Sequence, residues 1–142
     1  MGVQLWVLTH KKGARQMETH SLHFLKRIQV TSQDIDDIMV TALEGGITYW
    51  CNKADVIGEY LGEYASEQIS RGGKLRLYDF EEGKSYVLTL NMLLNGISKA
   101  IEHNYFVDYE WVNGNKLDPC QIDADVADVI IQFALFGDVV YG

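Results

Sequence analysis

The chain has 142 residues, with 12 Lys or Arg against 20 Asp or Glu, and its formal net charge at pH 7 is -8. A chain of this length can bury a hydrophobic core as one domain, and 47% hydrophobic residues with a single proline argue against a disordered protein. The acidic charge excludes a general DNA-binding protein, but a small anionic ligand needs only a few well-placed cations and N–H groups.

Residues 1–21 predict an N-terminal extension, because an apolar QLWVLT segment is followed by basic residues and broken periodicity. The cations Lys11, Lys12 and Arg15 fit either a solvated tail or an anion-attracting segment. A single α+β domain is expected over residues 22–142, beginning with a strand over 22–30 that is rich in branched and aromatic residues.

A helix is predicted after Thr31, which offers an N-cap, with its buried face at helical spacing. The apolar residues of that face are Ile35, Ile38, Met39, Ala42 and Leu43. The pair Gly45-Gly46 is predicted to end this helix, because the position after the last turn often requires a positive φ angle.

Two aromatic residues, Tyr49 and Trp50, follow that helix end directly. Adjacent rings on a loop held by a helix offer flat faces to a base or a sugar, so both are candidate ligand-binding residues. Packing of the same rings into the core is the alternative interpretation.

Residues 54–70 are predicted to be helical at least in their second half, because Tyr60 and Tyr64 recur at helical spacing. The pair Glu59 and Glu63 has the same spacing. These two carboxylates fit acid and base chemistry, or simply the solvation of an exposed helix face.

Three cations lie within six residues at RGGKLR, which makes Arg71, Gly72 and Arg76 candidate phosphate-binding residues. The alternative is structural, since cations favour helix C-termini and protect edge strands. A hairpin is predicted over 74–80 and 85–90, from alternation of apolar and polar residues around a polar turn.

The last third predicts a helix capped by Thr89, a turn at Asn113-Gly114, and a helix that Asp123 caps and Gly137 ends. A small antiparallel sheet covered by about four helices is therefore expected. The apolar ending VVY predicts a tail docked in a sheet or at a subunit interface.

No catalytic signature is present, since GxSxG, HExxH, P-loop and strand-linked GxGxxG motifs are all missing, and we expect no enzyme. Cys51 and Cys120 stand apart, and His20 and His23 form only a weak pair, so neither a metal nor another cofactor is expected. No apolar run would span a membrane and no signal peptide is apparent, which predicts an intracellular protein.

A nucleotide-like ligand needs an aromatic face for its base, cations or backbone donors for its diphosphate and amides for its ribose hydroxyls. The chain contains all three types. The aromatic candidates are Tyr49, Trp50, Tyr105, Phe106 and Trp111; the phosphate candidates are Arg71, Gly72 and Arg76; and the amide candidates are Asn52, Asn91, Asn95, Asn113 and Asn115.

Four segments in this order, TALEGGITYWC, SRGGKLRLYDF, LTLNMLLNGI and DADVADVIIQFALFGDVVYG, resemble the phage-borne Thoeris anti-defence sponge family over roughly residues 28–142. The resemblance implies a protein that captures, without cleaving it, the cyclic ADP-ribose isomer (glycocyclic ADP-ribose) made by a TIR-domain enzyme in an infected bacterium. It also implies homo-oligomers with pockets near subunit interfaces and, in some members, separate sites for cyclic oligonucleotides. The last predicted helix contains no arginine, which departs from the family pattern.

Two rival functions remain open at this stage. An acidic inhibitor that blocks a basic defence protein predicts tight, salt-sensitive protein binding without a small ligand. An enzyme that cleaves a cyclic nucleotide predicts conversion of the ligand, whereas a sponge returns it intact because it binds the ground state.

Overall fold

The computed structural model describes residues 17–22, 27–103 and 111–142. These residues form three α-helices, a three-stranded antiparallel sheet and a short two-stranded hairpin, which confirms the α+β class with three α-helices in place of about four. The helices are α1 (Ser32–Thr41), α2 (Leu90–Glu102) and α3 (Ala124–Phe136), and the strands are β1 (Cys51–Ile57), β2 (Lys74–Asp79), β3 (Ser85–Leu88), β4 (Val112–Asn113) and β5 (Lys116–Leu117).

All three α-helices begin at the predicted caps. Thr31 Oγ1 accepts the backbone N–H of Asp34 at 3.1 Å while Asp34 Oδ2 accepts the backbone N–H of Thr31 at 2.9 Å, which is a capping box. Thr89 and Asp123 each accept a backbone N–H three residues later, at 3.3 and 2.9 Å. Gly137 ends α3 with φ 73°, so its role is also confirmed.

Helical structure ends at Gly46, which agrees with the predicted stop at Gly45-Gly46, but the predicted cause, a positive φ angle, is wrong. The helix continues into a π-helical turn over Ala42–Gly46, and neither glycine has a positive φ angle. Gly46 is required for a different reason, because a Cβ there would lie 2.6 Å from the carbonyl oxygen of Ala124. The end of this turn therefore packs directly against the first turn of α3.

The predicted helix over residues 54–70 is also wrong. Cys51–Ile57 form strand β1, and helical structure is limited to a 3-10 turn at Ala65–Glu67. Pairing with β2 outweighs the helical spacing of Tyr60 and Tyr64, because Ala54 and Val56 pair with the buried Leu77 and Leu75.

The three-stranded sheet has the order β1-β2-β3, and the predicted β2–β3 hairpin is confirmed. Leu75, Leu77 and Asp79 of β2 are buried beneath the helices, whereas the alternate residues point to the opposite face. Helices α2 and α3 approach closely at Gly96, where a Cβ would lie 2.5 Å from the carbonyl oxygen of Ile130.

The strand predicted over residues 22–30 is not formed by its described residues. Leu22 is exposed, residues 23–26 lie outside the described part, and Gln29 makes a single bridge with Lys116. The turn predicted at Asn113-Gly114 is confirmed, because it joins β4 to β5. Residues 1–16 of the predicted extension also lie outside the described residues, so that assignment stays a prediction.

One hydrophobic core joins the helices to the inner face of the sheet, and α3 contributes buried residues along most of its length. Within the described ranges, no helix combines the length and apolar character needed to cross a membrane.

Candidate functional site

Trp50 lies between the end of α1 and strand β1, and it is buried with 3% of its surface exposed. Its indole Nε1 donates to Asp128 Oδ1 at 2.9 Å, and the hydroxyl of Tyr49 donates to Asp128 Oδ2 at 2.6 Å. One carboxylate on α3 therefore fixes both predicted ligand-binding aromatics. For Trp50 the geometry matches the core-packing interpretation, whereas Tyr49 keeps about half of its surface exposed.

The free face of Trp50 is covered by the C-terminal tail. Tyr141 stacks on it with ring centroids 4.7 Å apart and planes inclined by 2°, and its hydroxyl donates to the carboxylate of Asp79. Gln132 Oε1 accepts the backbone N–H groups of Val140 and Tyr141 at 2.7 and 2.8 Å. The apolar tail is thus docked on its own chain, against α3 and Trp50, and adds no strand to a sheet.

These contacts define an aromatic–carboxylate cluster of Tyr49, Trp50, Asp79, Asp128, Gln132 and Tyr141. Burial, then the hydrogen bond to Asp128, raises the pKa of Tyr49, and burial, then the hydrogen bond to Asp79, raises the pKa of Tyr141. The hydrogen bond from Tyr141 in turn lowers the pKa of Asp79. At neutral pH the phenol of Tyr141 is therefore a protonated donor to the charged carboxylate of Asp79, which holds the tail in place.

The predicted cations lie elsewhere. Arg71 is exposed in the turn before β2, and its Nη2 is 3.1 Å from Glu67 Oε2. Gly72 follows in the same turn, with no atom within 4 Å of the position that a Cβ would occupy. Arg76 points outward from β2 and its Nη1 donates to Ser85 Oγ at 3.3 Å.

The structure does not bring the predicted aromatic and cationic residues into one pocket. Trp50 precedes the end of the sheet where Cys51 pairs with Asp79, whereas Arg71 precedes the opposite end, where Ile57 pairs with Lys74. The length of β2 separates these two ends by roughly 17 Å at about 3.4 Å per residue.

The amide candidates are also dispersed. Asn91 and Asn95 are exposed one turn apart on α2, and the carbonyl oxygen of Asn115 accepts the backbone N–H of Gln29 at 2.6 Å. Asn52 and Asn113 are exposed at β1 and at the β4–β5 turn, and Trp111 is buried in the core. Tyr105 and Phe106 lie outside the described residues.

One arrangement was missed by sequence reasoning. The side of the three-stranded sheet that faces away from the helices carries cations and a tyrosine ring. We call this surface the outer sheet face; its polar residues and Tyr78 are Lys53, Asp55, Lys74, Arg76, Tyr78 and Ser85, and Ile57 and Val87 share it. Lys53 Nζ lies 5.2 Å from the centroid of the Tyr78 ring and 3.2 Å from Asp55 Oδ2, and Asp55 pairs with Arg76 in the strand register.

The signal for half of this face was present in the sequence. Alternation in KLRLYD places Lys74, Arg76 and Tyr78 on one side of β2. Lys53 joins them only because Cys51–Ile57 form strand β1 beside β2. The outer sheet face thus has three cations against one carboxylate in a chain of net charge -8. Such a surface attracts an anion and offers an aromatic ring beside it.

Among the described residues, no group of three or more His, Cys, Asp or Glu side chains is placed to hold a metal ion. Cys51 is buried and Cys120 is exposed, and both are free thiols. Comparison with known proteins finds no matching family model, no matching curated protein and no matching solved structure.

Proposed function

We propose that this protein binds an anionic, nucleotide-like ligand on the outer sheet face and holds it without turning it over. The observation that carries the proposal is the concentration of Lys53, Lys74 and Arg76 beside the ring of Tyr78 in an otherwise acidic chain. From the resemblance to the sponge family described above, we propose that the ligand is a cyclic ADP-ribose isomer produced by a TIR-domain enzyme. The protein would then act in the cytoplasm of a phage-infected bacterium.

The residues on this face suit the parts of such a ligand. Arg76 offers a planar guanidinium for bidentate contact with a diphosphate, and its hydrogen bond to Ser85 at 3.3 Å orients it. Lys74 adds a point charge beside it, and Lys53 adds a second one that Asp55 holds at 3.2 Å. Tyr78 presents a ring for base or sugar contact.

Capture without cleavage is supported by the state of the carboxylate on this face. Asp55 is engaged by Lys53 Nζ at 3.2 Å and stands opposite Arg76 in the strand register. Within the described part of the chain, the outer sheet face therefore offers no second carboxylate to pair with Asp55 for acid and base work.

We extend the proposal to a homo-oligomer, and to cyclic oligonucleotides as further ligands, on the strength of the same resemblance.

The test is to mix purified protein with the products of a TIR-domain enzyme, separate the protein, heat it and analyse what it releases. Intact cyclic ADP-ribose isomer in the released fraction supports sequestration. An altered product supports the enzyme alternative, and the absence of depletion favours the acidic protein-blocking inhibitor.

Arg76→Ala locates the site in the same experiment. Loss of a charge-assisted contact of about 1.5–3 kcal/mol should weaken capture at least about tenfold. Lys116→Ala removes one positive charge at an exposed position of β5 and is the matched control, expected to change capture less than about twofold. Arg71→Ala should have the smaller effect of the two arginine variants, because Glu67 already pairs with Arg71 at 3.1 Å. Equal capture by Arg76→Ala and the wild type would remove the outer sheet face from the proposal.

A further inference from the structure

The loop between β1 and the 3-10 turn, residues 58–64, presents large side chains to solvent. Its sequence, GEYLGEY, contains two Gly-Glu-Tyr triplets. Tyr60 is 63% exposed, Leu61 is 45% exposed and Tyr64 is 61% exposed. Single exposed apolar residues are ordinary on protein surfaces, but three large ones within five residues form a patch that calls for a physical explanation.

The backbone of this loop is held from behind by two side chains. Gln68 is 1% exposed, and its Nε2 donates to the carbonyl oxygen of Glu59 at 3.0 Å while its Oε1 accepts the backbone N–H of Leu61 at 3.0 Å. Glu67 Oε2 accepts the backbone N–H of Glu63 at 3.3 Å. Every second residue of the loop is therefore fixed by a hydrogen bond to the segment that follows it.

This anchoring has a consequence for binding. A buried amide side chain normally completes the hydrogen bonds of a core, whereas Gln68 holds a loop whose tyrosines face outward. Rings on a fixed backbone lose little conformational entropy when a partner covers them. The loop thus has the properties of a preformed contact surface.

We propose that residues 58–64 dock an arginine-bearing segment of another protein. Each tyrosine is preceded by an exposed glutamate, Glu59 or Glu63, and the loop itself contains no cation. A guanidinium is attracted both to the face of an aromatic ring and to a negatively charged loop. Leu61 between the two pairs supplies an apolar contact, so the matching segment carries two arginines flanking an apolar residue.

This docking is independent of ligand capture on the outer sheet face, since it requires none of the sheet cations. Arg71 stands at the border of the loop but is paired with Glu67, so it does not neutralise Glu59 or Glu63. A failure of either proposal therefore leaves the other standing.

The probe is a fluorescein-labelled synthetic peptide of alternating Arg and Leu, titrated with the protein by fluorescence anisotropy at physiological ionic strength. The double substitution Tyr60→Ser and Tyr64→Ser should raise the dissociation constant about tenfold, because two cation–π contacts and their apolar area are lost at unchanged net charge. Tyr60→Phe with Tyr64→Phe keeps both rings and should bind like the wild type.

Phe80→Ser is the matched control, because Phe80 is an exposed aromatic after β2, outside the loop. It should change the dissociation constant less than about twofold. Equal binding by the double serine variant and the wild type would overturn the proposal. Equal weakening by Phe80→Ser would also overturn it, since peptide binding would then reflect general surface hydrophobicity. Circular dichroism of each variant confirms that the exposed substitutions leave the fold unchanged.

Discussion

Substitution of Gly46 by Ala tests the contact that fixes α1 against α3. The added Cβ would lie 2.6 Å from the carbonyl oxygen of Ala124 and 3.3 Å from the backbone nitrogen of Asp128. Ordinary carbon–oxygen contacts are longer by about 0.7 Å, and both clashing groups are backbone atoms, so one element must move. Overpacking of this kind costs about 1–3 kcal/mol, and a cost of about 2 kcal/mol lowers the folding equilibrium constant roughly thirtyfold.

Gly45→Ala is the control that isolates this steric effect. It lies in the same π-helical turn, and its Cβ would meet only the Cβ of Ala124 at 3.9 Å, an ordinary contact distance. The gain in helix propensity is similar at both positions, so Gly45→Ala should leave stability unchanged or raise it by up to about 1 kcal/mol. Urea unfolding followed by tryptophan fluorescence measures both variants. If Gly46→Ala is as stable as Gly45→Ala, the packing of this turn against α3 is refuted.

Two further expectations concern the aromatic–carboxylate cluster. Asp128→Ala should lower the free energy of unfolding by about 2–3 kcal/mol, because it leaves the buried Nε1 of Trp50 without an acceptor. Asp125→Ala, at the exposed start of α3, is the control and should lower the free energy of unfolding by less than about 1 kcal/mol. Similar urea midpoints for the two variants would contradict this expectation. Folding raises the pKa of both Tyr49 and Tyr141. Their contribution to the free energy of unfolding is therefore complete below the pKa of about 10 in the unfolded chain, and it is lost as the pH rises through their pKa values in the folded protein. Urea midpoints measured from neutral pH to pH 11 should therefore fall above pH 10 in the wild type and fall less in a variant with both tyrosines replaced by Phe. An equal fall of the urea midpoint in the two proteins would argue against a contribution of these tyrosines to the pH dependence of stability.

Local chemistry made part of the fold predictable. The side chains of Thr31, Thr89 and Asp123 satisfy backbone N–H groups only a few residues away, so each helix start follows from neighbouring residues alone. The same holds for the β2–β3 hairpin, whose alternation sets its register, and for Gly137, where a left-handed conformation favours glycine.

The candidate site depends on long-range contacts and was predictable only in part. The sequence leaves Trp50 open to either a ligand or the core, and the contacts that place it in the core come from Asp128 and Tyr141, which are both far from Trp50 in the sequence. Arg76 is a predicted phosphate contact, whereas Lys53 is brought near it only by the pairing of β1 with β2.

The sequence by itself determined the α+β class, the starts of the helices, the hairpin and an acidic chain with cations concentrated near β2, because these depend on interactions between close neighbours or on composition. Only the tertiary structure decided that residues 51–57 form a strand, that Gly46 is a packing contact, and that Tyr141 covers Trp50. Each of these depends on which distant surface meets the segment, since burial against a partner outweighs a local propensity of a few tenths of a kcal/mol.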